Sequence, residues 1–155
     1  MYTILVLNGP NVNLLGTRLQ DLYGWRSMEE LEKICFDAAK EIGVNIEFRQ
    51  TNHEGVLIDW LHDARGKADG IVLNASAYAR TSLVLHDAVE GILLPVIELH
   101  ITNIFRRDSY RPPSFLSKVA AGVICGLGLE GYPIAIRAMR DLLDRRAKDG
   151  TAGGH

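Results

Sequence analysis

Five times along the chain a short apolar run gives way to a stretch with helical spacing. The runs are 2–8, 44–49, 70–74, 95–99 and 119–125. Strands separated by helices need crossover connections, so they lie parallel, with helices packed on the sheet's faces. Gly70-Ile71-Val72-Leu73-Asn74 is continuously apolar up to its last residue, as a strand covered on both faces should be. The alternation predicts an α/β doubly wound five-stranded parallel sheet with helices on both faces. Periodicity by itself permits more than one strand order.

The intervening stretches carry their own punctuation. Ser27-Met28-Glu29-Glu30 is a capping box, which starts a helix at about residue 28. Leu31, Ile34, Cys35, Ala38, Ala39 and Ile42 form its apolar face, and Gly43 ends it. A second helix is expected over 54–64, with Leu57, Leu61 and Ala64 on one side. Thr81 or Ser82 caps a third, with Val84, Leu85, Ala88 and Val89 inside. The last runs from Tyr132 to about Ala147. Residues 1–148 read as a single domain and 149–155 as a flexible tail.

The totals exclude several functions. A net charge of −2 over 155 residues gives no bulk attraction to nucleic acid or to a membrane surface. No apolar run reaches the roughly 18 residues of a membrane span. The chain enters its first strand directly, without a signal-peptide pattern, and Cys35 and Cys125 fall at apolar positions with no metal-ligand spacing. A cytoplasmic protein with reduced core thiols and no metal is expected.

Chemistry is expected beyond the carboxyl ends of the strands. The first strand breaks at Asn8-Gly9-Pro10-Asn11 and enters a loop holding Arg18 and Tyr23. At about fifteen residues this loop is long for a compact domain and reads as a lid over a site. Val12, Leu14, Leu15, Leu19 and Leu22 give it apolar anchors. Asn74 ends the third strand. His100 follows the fourth and leads into Ile101, Thr102, Arg106, Arg107 and Arg111. Arg18, Arg80, Arg107 and Arg111 are candidate cations for an anionic ligand. No glycine-rich phosphate turn follows the first strand, so no dinucleotide cofactor is expected. The spacing Gly126, Gly128, Gly131 lies at the wrong strand for one.

Each candidate has a plainer reading. Tyr23 suits an amphipathic surface tyrosine as well as a base. Its neutral phenol, with a reference pKa of about 10, is a poor base unless a cation such as Arg18 favours the phenolate. His100 reads either as a satisfied buried histidine or, with Glu98 two residues before it, as a general acid or base. Asn11 and Asn74 also suit turns, and Arg107 and Arg111 solvated surface.

Several motifs carry a resemblance covering residues 3–142: N-G-P-N-x-N-x-L-G-x-R at the start of the lid, the Tyr-Gly that ends it, F-R-Q-T-N-H-E-G at 48–55, I-E-L-H-I-T-N at 97–103, and A-A-G-V-I-x-G-L-G-x-x-G-Y at 120–132. The chain resembles the type II 3-dehydroquinate dehydratases. That resemblance implies a flavodoxin-like strand order, 2-1-3-4-5, and dehydration of 3-dehydroquinate to 3-dehydroshikimate by anti elimination through an enolate. It assigns Tyr23 as the base, activated by Arg18. Asn11 holds the enolate through a water, and His100, oriented by Glu98, protonates the departing hydroxyl. Asn74, Ile101 and Thr102 match the carboxylate-binding positions. Arg111 and Asp87 match the hydroxyl end, the aspartate reaching in from a neighbouring subunit. Arg107 and Arg80 complete the substrate-binding set. The resemblance further implies no cofactor, no Schiff base, and a homo-oligomer, a dodecamer built from trimers.

The chain also departs from that pattern. The family's histidine in the segment after the third strand is Arg80 here, within Asn74-Ala75-Ser76-Ala77-Tyr78-Ala79-Arg80-Thr81-Ser82. Thr102 stands where serine is common, and Phe105 where histidine is common. The departures leave two rivals to consider: a paralogue that binds a related cyclic carboxylate such as quinate or shikimate without turnover, and, more distantly, a flavin carrier. Biosynthetic and catabolic roles are equally compatible with the sequence.

Overall fold

A computed structural model of the chain describes residues 1–17 and 19–150. Five strands form one parallel sheet in the order β2-β1-β3-β4-β5, the order the resemblance implied. They are β1 Thr3–Asn8, β2 Asn45–Gln50, β3 Gly70–Asn74, β4 Val96–His100 and β5 Gly122–Cys125. The helices are α1 Gln20–Tyr23, α2 Met28–Ile42, α3 Glu54–Asp63, α4 Tyr78–Thr81, α5 Leu83–Gly91 and α6 Gly131–Lys148.

Alternation along β1 divides the core into two layers. Ile4 and Val6 point to the face covered by α2 and α6, where they pack with Leu31, Cys35, Tyr132 and Met139. Leu5 and Leu7 point to the face covered by α3 and α5, with Leu57, Leu61, Leu85 and Val89. Burying a side chain of this size contributes about 1.5–3 kcal/mol, so these layers carry most of the stability. Gly70 permits the closest contact of α6 with the sheet, since a Cβ there would lie 2.4 Å from the sulfur of Met139.

The caps fall where the sequence placed them. Ser27 Oγ accepts from the Glu30 N–H at 3.2 Å, and Gly43 closes α2 at φ 72°. Ser82, rather than Thr81, caps α5, its Oγ accepting from the Leu85 N–H at 2.9 Å. Thr81 ends the extra turn α4. Several packing expectations fail. Of the lid's five apolar anchors only Val12 and Leu15 are buried, while Leu14, Leu19 and Leu22 are exposed. Val84 is 59% exposed on the outer face of α5, and Cys125 is only half-buried near the sheet edge. Strand β5 starts at Gly122 instead of 119, because Leu116–Lys118 forms a 3-10 turn ahead of it. The predicted tail falls largely on residues 151–155, outside the described residues. Among the described residues no helix is long and apolar enough to cross a membrane.

Candidate active site

Register brings the polar strand ends together. Asn8 pairs with both Gln50 and Asn74, and His100 ends β4 on the same edge of the sheet. Beyond this edge lies a cleft of about 280 Å³. Of the residues predicted from the sequence, Asn11, Tyr23, Asn74, Arg80, His100, Ile101, Thr102, Arg107 and Arg111 all line it. Glu98 stands directly behind His100. Asp87 does not line its own chain's cleft; it is an exposed residue of α5, paired with His86 Nδ1 at 2.9 Å. Arg18 lies outside the described residues.

The histidine wall is rigid. His100 Nε2 and Glu98 Oε2 are 2.5 Å apart, and both side chains are buried. Ser114 Oγ donates to the same carboxylate oxygen and Ser117 Oγ to the other, each at 2.5 Å. Burial works to raise the Glu98 carboxyl, but the hydrogen bonds from His100, Ser114 and Ser117 and the charge of His100 outweigh it and hold it below its ordinary value. With Nε2 committed to Glu98, Nδ1 is the ring nitrogen left to serve a ligand. The two serines were not singled out in the sequence. They sit in the 101–118 loop, where no periodicity marks them.

On the lid side, Arg107 Nη1 donates to the Tyr23 hydroxyl oxygen at 3.1 Å and to Thr102 Oγ1 at 3.3 Å. The sequence had proposed Arg18 as the cation beside this phenol, and here Arg107 holds such a position. A guanidinium donating to a phenol oxygen favours the phenolate over the phenol. The contact joins residues 84 apart in the chain, so local spacing could not reveal it.

The lid is held from beneath. Gly9 N–H donates to the Asn74 carbonyl at 2.7 Å, and a Cβ on Gly9 would lie 2.6 Å from the Ala75 carbonyl oxygen. The chain then turns through Asn11 in the left-handed region at φ 71°, where asparagine is tolerated better than most residues. Asn52 Oδ1 accepts from the Asn11 N–H at 3.0 Å, and Gln50 Nε2 donates to the Gly9 carbonyl at 3.2 Å. Gln50 and Asn52 belong to the 48–55 motif, the one signal that could have marked them as supports of the lid.

A buried relay fixes the strand ends. Tyr132 Oη donates to Asn8 Oδ1 at 2.7 Å and accepts from Asn74 Nδ2 at 2.8 Å. Full burial pushes the Tyr132 phenol well above its ordinary range, against the opposing hydrogen bond from Asn74. Tyr132 is therefore a fixed donor, and Tyr23 is the tyrosine that faces the cleft. Asn74 Oδ1 also accepts from the Ser76 N–H at 3.2 Å. Arg80 and Arg111 also line the cleft. Burial, followed by the charges of Arg111 and Arg107, lowers the Arg80 guanidinium from its ordinary value.

Similarity to known proteins agrees with this geometry. The sequence profile of the family Dehydroquinase class II matches residues 2–140. The chain is 51% identical over 144 residues to the 3-dehydroquinate dehydratase 2 of Pseudomonas putida, covering 93% of this chain and 97% of that protein. It is 52% identical over 133 residues to the 3-dehydroquinate dehydratase of Dinoroseobacter shibae, covering 86% and 89%. The crystal structure of the type II dehydroquinase from Butyrivibrio crossotus superposes with a TM-score of 0.87 at 38% identity, covering 90% of this chain and 97% of that one. With a parallel sheet in the family's strand order and a profile match over nearly its whole length, the chain belongs to the class II dehydroquinases.

Proposed function

We propose that this chain dehydrates 3-dehydroquinate to 3-dehydroshikimate. The observation that carries the reading is one cleft lined by two different proton-transfer groups: Tyr23, with Arg107 on its phenol oxygen, and His100, backed by Glu98. Elimination of water next to a ketone needs a base for the carbon-bound proton and an acid for the departing hydroxyl. Tyr23 as phenolate takes the proton, and the electron pair moves into the enolate. His100 then gives a proton from Nδ1 as the C–O bond breaks, so hydroxide leaves as water. The proton on Tyr23 returns to His100 through solvent, which closes the cycle without a redox partner. Arg107 stabilises the phenolate, a role shared with Arg18 of the lid. Asn11 holds the enolate oxygen through a water, and Asn74, Ile101 and Thr102 bind the substrate carboxylate. Arg80 and Arg111 face the ring hydroxyls.

Identity of about half over most of the chain to proteins named as dehydratases favours turnover over a paralogue that only binds. A cytoplasmic location is part of the reading, supported by two free cysteines. So is a dodecamer of trimers in which Asp87 completes a neighbour's site. Its exposure on α5, outside its own cleft and beside the exposed Leu83 and Val84, supports that arrangement. The test is turnover of 3-dehydroquinate, followed by the absorbance of the conjugated product. Absence of product with correctly folded protein would refute the reading.

A further inference from the structure

Asn74 ends β3 and lines the cleft with only 4% of its surface exposed. A primary amide can turn either its oxygen or its nitrogen toward a ligand, and the choice decides whether the cleft offers an acceptor or a donor there. Two backbone groups, each with a single role, fix that choice. The Arg49 carbonyl can only accept, so Asn8 turns Nδ2 toward it, at 3.1 Å. Asn8 Oδ1 then faces the Tyr132 hydroxyl and accepts its proton at 2.7 Å. That hydroxyl has one proton to give, so its oxygen is left to accept from Asn74 Nδ2, at 2.8 Å. From the other side the Ser76 N–H can only donate, and it meets Asn74 Oδ1 at 3.2 Å. Burial keeps the Tyr132 phenol protonated. One N–H of the Asn74 amide is thus committed to Tyr132, and the other is left to offer. Asn8 and Tyr132 are themselves fully buried and do not line the cleft.

We propose that Tyr132, aligned by Asn8, is a positioning residue that holds the Asn74 amide with a donor toward the cleft and so sets the affinity for a ring carboxylate. The proposal rests on the dehydratase reading in taking Asn74 as a carboxylate anchor. With phenylalanine at 132, the buried Nδ2 proton loses its acceptor, and the amide is free to turn to relieve that loss. The anion then meets a misdirected group, although nothing that touches it has been replaced.

The test uses quinate, a ring carboxylate that lacks the ketone and so is not dehydrated through an enolate. Calorimetric dissociation constants are measured for the full chain, Tyr132→Phe, Asn74→Ala and the double variant, with thermal melting to confirm folding of each. Tyr132→Phe should weaken quinate about fivefold or more, part of the worth of a hydrogen bond to a charged group. In the Asn74→Ala background the same change should weaken it by less than about twofold, because the side chain through which Tyr132 acts is gone. Asn8→Ala frees the Tyr132 hydroxyl to turn and should weaken quinate in the same sense. If Tyr132→Phe does not fold, Asn8→Ala with and without Asn74→Ala carries the same cycle. On 3-dehydroquinate, Tyr132→Phe should raise KM and leave kcat and its pH profile within about twofold, the pattern of lost uniform binding. Unchanged quinate affinity in Tyr132→Phe would overturn the proposal. So would an equal loss in both backgrounds, the mark of a merely structural role, or a wild type that does not bind quinate at all. If the wild type binds quinate with the expected coupling but does not turn over 3-dehydroquinate, the dehydratase reading fails and this proposal stands.

Discussion

The two proton-transfer groups are built differently, and their expected sensitivities differ with them. Tyr23→Phe keeps the ring and removes only the ionisable oxygen that Arg107 contacts. It should cost kcat about 10²–10⁴-fold, the usual worth of a positioned acid or base. Calorimetry should show binding of a product analogue nearly unchanged. Weakened binding with kcat intact would assign Tyr23 to ligand binding instead. Glu98 is a matter of stability as well as catalysis. Its folded pKa lies below the unfolded value of about 4.3, so its stabilisation is present above that value and is lost as pH falls through the folded one. Urea unfolding of the wild type should therefore weaken as pH falls below the unfolded value of about 4.3, and Glu98→Gln should flatten that limb. Parallel slopes for the two proteins would show that Glu98 does not set the acid limb. Ser114→Ala removes one of the hydrogen bonds that depress the carboxyl, so it should shift the acid limb upward in pH.

At the scale of elements, what was legible followed from local chemistry. Strand ends at Asn8 and Asn74, and the histidine at the end of β4, stood out because a polar side chain closing an apolar run has no core partner on its own strand. Helix starts were legible because Ser27 and Ser82 satisfy a backbone donor within three residues. Contacts that depend on the closed fold were not legible. Arg107 reaches Tyr23 only after β4 and the lid are brought side by side. Ser114 and Ser117 lie beyond Pro112-Pro113, where neither a period of two nor one of 3.6 exists to orient them. Val84 fits an inward helical position by spacing yet faces outward, because spacing cannot say whether another surface will cover it. The cap gives a direct check on this level. Ser82 is 2% exposed, and Ser82→Ala should cost about 1 kcal/mol of unfolding free energy, read from the urea midpoint. A change below about 0.3 kcal/mol would mean that packing, not the cap, holds the start of α5. Gly9→Ala should be worse, since the Ala75 carbonyl oxygen would stand 2.6 Å from the new Cβ and a backbone atom must move.

For the whole molecule, the question is where Asp87 acts. It belongs to α5, outside the cleft of its own chain, and Leu83 at 60% and Val84 at 59% exposure flank it on the same helix. Apolar side chains clustered on an outer face mark an interaction surface. In a closed cyclic trimer each α5 would meet the next subunit, so each cleft would draw Asp87 from a neighbour and lend its own Asp87 onward. Light scattering at micromolar concentration should give a mass that is a multiple of three chains. Mass alone does not locate the carboxylate, but mixing defective chains does. Tyr23→Phe spoils a chain's own cleft, and Asp87→Asn spoils its neighbour's. Each variant by itself should be nearly inactive. Co-expressed at equal levels, they form rings in which roughly a quarter of the clefts pair an intact Tyr23 with an intact neighbouring Asp87, by random assortment around the ring. Activity should then rise to about a quarter of wild type. If the mixture stays as inactive as its components, while masses show that mixed rings form, each cleft is complete within one chain and Asp87 has no part in its neighbour's.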